Sequence, residues 1–202
     1  MMKIIVTGGS GRAGRFIIQE MVSHGYDVVN ADITSGPDQG ARFVAVDVID
    51  FGQVVTVTKG AAAIIHMAAI PNPLMAPEHK VFRVNMVSNW NVLEAAEIHD
   101  IPKLALASSV NAIGAVFSKA PVAPGYFPID EQHPTRVEDG YAQSKWLGEE
   151  ITLSIPTLEA IVRVYPGVPL RKPLDEFASV LDTSKAERIM GWVHETQWVR
   201  NG

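Results

Sequence analysis

The chain has 202 residues, of which 47% are hydrophobic and 19% charged, a balance typical of a globular rather than a disordered protein. The net charge is −5 with lysine and arginine scattered along the chain, so we expect no nucleic-acid partner. Cysteine is absent, which excludes disulfides, thiolate zinc sites and cysteine nucleophiles. No apolar run approaches the ~20 residues of a membrane span and no signal peptide fits the N-terminus, so the sequence predicts a cytoplasmic protein without a membrane partner.

Short β-branched runs alternate with helical patterns along the first three quarters of the chain. The sequence predicts strands at 4–6, 27–32, 43–47, 62–66 and 104–107. It predicts helices at 12–24 with Gly25 as the stop, at 51–59 despite a Val- and Thr-rich run, at 79–99 and at 140–153. The proline-rich segment 118–135 is predicted to be a surface loop. This alternation predicts an α/β fold with a doubly wound parallel sheet.

The segment Thr7–Gly14 joins the first predicted strand to the first predicted helix and spaces its glycines as G-x-x-G-x-x-G. Anions bind at helix N-termini through free backbone N–H groups, and glycine allows the close approach that a side chain would block. In this context Gly8, Gly11 and Gly14 predict a cradle for the pyrophosphate of a dinucleotide. The alternative is a tight turn without a ligand.

Two carboxylates follow neighbouring predicted strands. Asp32 ends the second strand, where it can accept hydrogen bonds from the ribose hydroxyls of the adenosine half and repel a 2′-phosphate. This position favours NAD over NADP. Asp47 ends the third predicted strand and could reach the adenine edge. For both residues a local turn role is the alternative.

Tyr141 and Lys145 are spaced i and i+4 on one predicted helix, so their side chains share a face. A tyrosine phenol titrates near pH ~10, and a neighbouring ammonium lowers that pKa. The pair therefore suits proton removal from a sugar hydroxyl while hydride leaves to nicotinamide. Ser109 follows the fifth strand, where open α/β sheets bind ligands, and could hold the substrate oxygen. An exposed helix pair and a turn hydroxyl are the alternatives.

In this order the motifs resemble the extended short-chain dehydrogenase/reductase family, in its NAD-dependent epimerase/dehydratase group. The matching pieces, spread over residues 3–153, are Thr7–Gly14, Asp32, Asp47, His66–Ala69, Asn85, Ser108 with Ser109, and Tyr141 with Lys145. The resemblance implies a Rossmann-like fold, NAD as cofactor, and a catalytic set of Ser109, Tyr141 and Lys145. It implies a cofactor site formed by Gly8, Gly11, Arg12, Ala13, Gly14, Asp32, Asp47, Val48, Met67, Ala68, Ala69, Asn85, Tyr141 and Lys145.

Further roles follow from the same resemblance. Asn85 would steady a helix and a water relay near Lys145. The segment 109–114 is most similar to uronate dehydrogenase-like members, in which Asn111 would touch the substrate, although Val110 and Asn111 depart from the uronate dehydrogenase pattern. Family members often pair through the helices at 79–99 and 140–153, which implies a homodimer. His66 has no second metal ligand spaced near it, so we expect it to pack at a strand end and expect no metal.

The last quarter of the chain resembles the family's C-terminal tail, placed directly after the helix that carries Tyr141. We therefore expect an NAD-binding domain at 1–153, an internal deletion near 152–156, and at 154–202 the remnant of a reduced substrate-binding lobe. The run 160–165 permits a strand, but we favour a helix.

Two functions follow from these features. The first is an NAD-dependent oxidoreductase or epimerase acting on a sugar, sugar acid or nucleotide sugar. The second is a non-catalytic NAD-binding protein, regulatory or vestigial. A chain that is part of a longer enzyme is a further alternative.

Overall fold

The centre of the computed structural model is a sheet of five parallel strands. They are Lys3–Thr7 (β1), Asp27–Asp32 (β2), Arg42–Ala45 (β3), Ala63–His66 (β4) and Leu104–Leu106 (β5). Their order across the sheet is β3-β2-β1-β4-β5, and every neighbouring pair is parallel. The register places Ile5 opposite Val29 on one side and opposite Ile64 on the other.

In the part of the chain that the structure describes, four α-helices connect and follow these strands, namely Gly14–Ser23 (α1), Phe51–Thr58 (α2), Glu78–Ile98 (α3) and Gly140–Leu153 (α4). A short 3-10 helix, Val110–Ile113, follows β5. The structure describes residues 1–114, 117, 123–127, 129 and 133–153. Much of the predicted loop 118–135, the predicted lobe at 154–202 and the choice between helix and strand at 160–165 lie outside the described residues.

The sheet is covered on both faces, as a doubly wound fold requires. Ile5, Val29 and Ile64 pack in one buried cluster with Val54 of α2 and Val92 of α3. A second buried cluster contains Ile4, Val6 and Val28 with Ile18 of α1. Because successive residues of a strand point to opposite faces, these continuous apolar runs supply both layers. The predicted α/β, Rossmann-like fold is confirmed.

Local hydrogen bonds explain the elements that periodicity predicts poorly. The Val- and Thr-rich α2 is held at its start by Asp50, whose Oδ1 accepts from Gln53 N at 3.1 Å. At its end Lys3 Nζ donates to Val57 O at 3.1 Å and to Lys59 O at 2.7 Å. Gly25 follows α1 with φ +77°, the left-handed conformation expected after a helix end. Among the described residues, no helix is long and apolar enough to cross a membrane.

The strand order positions the site. From β1 the chain passes to β2 and β3 on one side and then to β4 and β5 on the other. At such a reversal the connections leave in opposite directions, and a crevice opens outside the carboxyl ends of the strands. The segments Thr7–Gly14 and His66–Ala69 both begin at those carboxyl ends, so the fold brings them together.

Candidate active site

A cavity of about 500 Å³ opens at the carboxyl ends of the central strands. It is lined by every residue predicted to form the cofactor site except Asn85: Gly8, Gly11, Arg12, Ala13, Gly14, Asp32, Asp47, Val48, Met67, Ala68, Ala69, Tyr141 and Lys145. These residues come from five separate stretches of the chain. The fold therefore brings the glycine loop, the carboxylates and the tyrosine–lysine pair to one surface.

The glycine loop is folded so tightly that Gly8 and Gly14 have no room for a side chain. Gly8 has φ +66°, and a Cβ there would lie 2.6 Å from Ala68 N. A Cβ on Gly14 would lie 2.3 Å from Gly8 O, and Gly11 N donates to Gly8 O at 3.0 Å. The N-cap of α1 is Ala13, whose methyl group cannot cap the helix. This bare helix N-terminus beside a cradle of glycines suits a pyrophosphate.

Asp32 lines the cavity at the end of β2. Its Oδ2 accepts from Ser10 N at 3.1 Å, and its Oδ1 accepts from Thr34 N at 3.4 Å. Asn30 holds the same serine, because its Nδ2 donates to Ser10 Oγ at 3.0 Å. The carboxylate thus faces the cavity and also fixes the middle of the glycine loop, so it fits the ribose of a dinucleotide whose pyrophosphate lies on that loop.

Asp47 also lines the cavity, but β3 ends two residues before it, at Ala45. Its Oδ1 accepts from Ile49 N at 3.1 Å, and its own N–H donates to Gln53 Oε1 at 2.9 Å. Asp47 therefore combines the turn role with a place at the cavity wall.

Tyr141 and Lys145 lie on α4, and both are buried. Lys145 Nζ lies 5.9 Å from the centroid of the Tyr141 ring and donates to Ala107 O at 2.6 Å. Burial lowers the pKa of Lys145 to about 8, and the Glu149 carboxylate opposes this shift. The cation is thus held at the end of β5 by a backbone carbonyl, next to the phenol ring.

Asn85 lies behind the cavity wall and is 1% exposed. Its Oδ1 accepts from Ile70 N at 2.8 Å, and its Nδ2 donates to Ile70 O at 3.2 Å and to Ser144 Oγ at 3.0 Å. Ile70 lines the cavity, and Ser144 precedes Lys145 on α4. Asn85 therefore ties the loop after β4 to the helix that carries Lys145.

His66 is buried at the end of β4. Its Nδ1 is hydrogen-bonded to Thr7 Oγ1 at 2.6 Å, and the same hydroxyl oxygen accepts from Ala68 N at 3.3 Å. Burial, and after it the charge of Lys145, lowers the pKa of His66 to about 3. The ring is neutral and links the ends of β1 and β4, which agrees with a packing role at a strand end.

Ser109 and Asn111 do not line the cavity. Ser109 is the N-cap of the 3-10 helix, and its Oγ accepts from Asn111 N at 3.1 Å. Asn111 is 1% exposed; its Nδ2 donates to Asp139 Oδ2 at 3.2 Å, and its Oδ1 accepts from Phe117 N at 3.1 Å. The expected substrate contact of Asn111 therefore stays a prediction, and its amide is engaged inside the protein.

The sequence profile of one protein family, described as the NAD dependent epimerase/dehydratase family, matches residues 4–161. The chain belongs to this family. The resemblance seen in the motifs is thus confirmed, and the expected cofactor agrees with the family's dependence on NAD.

Three known proteins show how far the likeness of this epimerase/dehydratase chain extends. A Methanocaldococcus jannaschii protein named "Putative UDP-glucose 4-epimerase" is 34% identical, and the match covers 73% of this chain and 48% of that protein. The chain spans about half the length of the curated relatives it matches. A short-chain dehydrogenase/reductase superfamily protein from Agrobacterium tumefaciens, solved with bound NAD, is 26% identical with a TM-score of 0.65, covering 74% and 44%. A mutated uronate dehydrogenase is 25% identical with a TM-score of 0.63, covering 74% and 52%.

Two polar residues, Ser108 at the cavity wall and Glu149 bonded to it, were not among the predicted site residues. Ser108 lines the cavity in place of its neighbour, and its Oγ donates to Glu149 Oε1. Glu149 extends the i, i+4 series of Tyr141 and Lys145 by one further turn of α4. That spacing was a visible signal for Glu149. The cavity wall also includes residues with no such signal: Ala31, Ile33, Val46, Ile70, Pro71, Val84 and Ala107.

Proposed function

We propose that the chain binds NAD in this cavity, with the pyrophosphate on the glycine loop at α1 and a ribose of the adenosine half on Asp32. Two observations support this proposal. Gly8 and Gly14 lie where no Cβ fits, and the carboxylate of Asp32 lines the cavity at the end of β2. A carboxylate at that point accepts from ribose hydroxyls and repels a 2′-phosphate, so we expect NAD to bind more tightly than NADP.

We further propose that the protein is an NAD-dependent oxidoreductase or epimerase acting on a sugar, sugar acid or nucleotide sugar. The observation that carries this proposal is the convergence of Tyr141 and Lys145 on the same cavity as the glycine loop. NAD, when bound, supplies a hydride acceptor. The named activities of the relatives support the substrate class: a UDP-glucose epimerase and a uronate dehydrogenase are among them.

The chain's own residues would divide the proton chemistry between them. Tyr141 takes the proton of the reacting hydroxyl as general base. Lys145, held by Ala107 O, places a positive charge beside the phenol ring and stabilises the phenolate. In this proposal Ser109, a half-buried residue that follows β5 by three positions, holds the reacting oxygen.

The test uses the whole chain, NAD and a panel of uronates and nucleotide sugars. NADH absorbance measures net oxidation, and chromatography of the sugars measures epimerisation, which leaves no net NADH. We expect Tyr141→Phe to lower turnover by at least about 100-fold, since it removes the proton acceptor, while the Kd for NAD changes little. NAD binding without turnover on any substrate of the panel would reject the catalytic proposal and leave the binding proposal in place.

A second candidate is a non-catalytic NAD-binding protein, and the position of Ser109 favours it. Its hydroxyl caps the 3-10 helix, whereas the cavity wall holds Ser108. Paired variants separate the two candidates: Ser109→Ala lowers turnover in the catalytic protein more than Ser108→Ala does. In a non-catalytic NAD-binding protein there is no turnover to lose, and the two changes can alter only the Kd for NAD.

We also propose a homodimer formed through the helices predicted at 79–99 and 140–153. Val87, Trp90 and Ile98 on α3 are 36%, 58% and 52% exposed, so this helix presents apolar side chains that a partner could cover. Asn85 binds Ser144, so α3 lies against α4. Sedimentation of the protein and of Trp90→Glu tests this: a dimer that the substitution converts to monomer supports it.

The cytoplasmic location stays a prediction.

A further inference from the structure

The segment after β5 and the start of α4 are far apart in sequence but are joined at several points. Arg136 N donates to Ile113 O at 3.3 Å. Gly114 has φ +81°, and a Cβ there would lie 2.1 Å from Arg136 O. The two backbones therefore approach as closely as a glycine permits. This contact brings the 3-10 helix, which Ser109 caps, next to the residues that precede Tyr141.

Two buried side chains complete this junction. Asp139 is 4% exposed and Asn111 is 1% exposed. Asp139 Oδ1 accepts from Tyr141 N and from Ala142 N, each at 2.9 Å, so it caps the first turn of α4. Its other oxygen, Oδ2, accepts from Asn111 Nδ2 at 3.2 Å. The carboxylate thus has one oxygen on each of the two segments.

The bonds form one continuous path between the two reacting groups of the proposed function. Ser109 Oγ accepts from the backbone N–H of Asn111, whose side chain donates to Asp139. Asp139 in turn accepts from the backbone N–H of Tyr141. Asn111 Oδ1 accepts from Phe117 N, so its amide is fixed from its other end as well. A shift of Asn111 or Asp139 would therefore change the distance from Ser109 to Tyr141.

We propose that Asn111 and Asp139 are positioning residues that fix Ser109 relative to Tyr141 for proton transfer. This inference rests on the proposed function. It assigns Asn111 a role inside the protein in place of a substrate contact. It also assigns a second role to the buried Asp139, in addition to capping the start of α4. Catalytic geometry is sensitive to such placement, since a displacement of about 1 Å can cost about 100-fold in rate.

A charge-preserving exchange of the two residues provides the test. In Asp139→Asn one of the two carboxylate oxygens becomes an NH2 group, which cannot accept a hydrogen bond. In one orientation of the amide this NH2 group faces the backbone N–H groups of α4 and the cap is lost; in the other it faces Asn111 Nδ2 and the link to Asn111 is lost. In Asn111→Asp two carboxylates face each other. The double variant Asn111→Asp with Asp139→Asn restores one carboxylate, one amide and a donor opposite an acceptor. Thr58→Val is the control, because it removes a buried hydrogen bond to Val54 O on α2, away from the site.

Amide hydrogen exchange on the protein without cofactor gives the first measurement. We expect faster exchange at the amide of Phe117, of Tyr141 or of both in each single variant, a return toward wild type in the double variant, and no local change in Thr58→Val. Unchanged exchange in both single variants overturns the inference. So does a double variant that is no better than the worse single one.

Turnover with NAD gives the second measurement. We expect kcat to fall about 10- to 100-fold in the single variants with the Kd for NAD within about 2-fold, and to recover in the double variant. The positioning role is overturned if, for the same loss of unfolding free energy, the single variants lose no more kcat than Thr58→Val does. If the wild type binds NAD without turnover, the proposed function fails, and the exchange measurement alone decides whether the two segments are linked through Asn111 and Asp139.

Discussion

The glycine-loop end of the cavity and its Tyr141 end differ in what holds them in shape. At the glycine-loop end the constraint is steric: Gly8 and Gly14 lie against backbone atoms with no room for a Cβ. At the Tyr141 end side chains from distant segments hold the geometry, as Asn85 and Asp139 do. A short motif can specify the first arrangement, whereas the second requires the whole fold. We therefore expect a single substitution in the glycine loop to abolish function, and single substitutions at the Tyr141 end to reduce it partially.

The largest effect is expected at the steric end. Gly14→Ala places a Cβ 2.3 Å from Gly8 O, so the loop must move, and we expect no measurable NAD binding with about 1–3 kcal/mol lost from the free energy of unfolding. Titration with NAD and thermal unfolding measure the two effects. Gly52→Ala on α2 is the control, where the nearest atom is 3.4 Å away and we expect stability to rise by about 0.5–1 kcal/mol. Normal NAD binding by Gly14→Ala would remove the contrast between the two ends.

Lys145 tests the electrostatics of the other end through pH. Burial lowers its pKa in the folded protein to about 8, below the usual 10.5, so the ammonium is lost above about pH 8 and turnover should fall there. The unfolded chain binds more protons between pH 8 and 10.5, so the free energy of unfolding should rise with pH in that window, by an amount on the order of 1–3 kcal/mol. Chemical unfolding of wild type and Lys145→Met at several pH values measures this. An equal pH dependence in both proteins would contradict it.

Asn85 should give an intermediate effect. Asn85→Ala removes the hydrogen bonds of a buried amide to the backbone of Ile70 and to Ser144 Oγ, which we expect to cost about 1–3 kcal/mol in unfolding free energy. The NAD affinity should fall only a few-fold, since the glycine loop does not depend on this residue. Complete loss of NAD binding would show that the two ends are not separable.

The smallest effect is expected at Glu149, which is exposed. Its carboxylate raises the pKa of Lys145 against the effect of burial, so Glu149→Gln should shift the alkaline limb of the pH–rate profile to lower pH by a few tenths of a unit. The neighbouring exposed Glu150→Gln is the matched control, with no shift expected. Equal shifts in the two variants would assign the effect to net charge rather than to the place of Glu149.

The two ends also differ in how far the sequence predicts them. The glycine loop, Asp32 and the i, i+4 pair on α4 follow from spacing within a few residues, and all of them line the cavity. The burial of Asn111 does not follow from spacing, because its partner Asp139 is on another element and only the folded chain brings them together. The same holds for the end of β3, which stops at Ala45 and leaves Asp47 outside the strand predicted at 43–47. The helix predicted at 51–59 is observed as α2, and Lys3 binds carbonyls at its end.

The central position of β1 has a consequence for the order of events during synthesis. Its partners are β2 on one side and β4 on the other, with Thr7 opposite His66. The glycine loop packs on Ala68, so it cannot complete its shape until that residue has left the ribosome. At about 5–20 residues per second, the glycine loop waits several seconds after its own synthesis for the segment that supports it. The loop thus acquires its ligand-ready form only after β4, on the other side of β1 from β2, has been made.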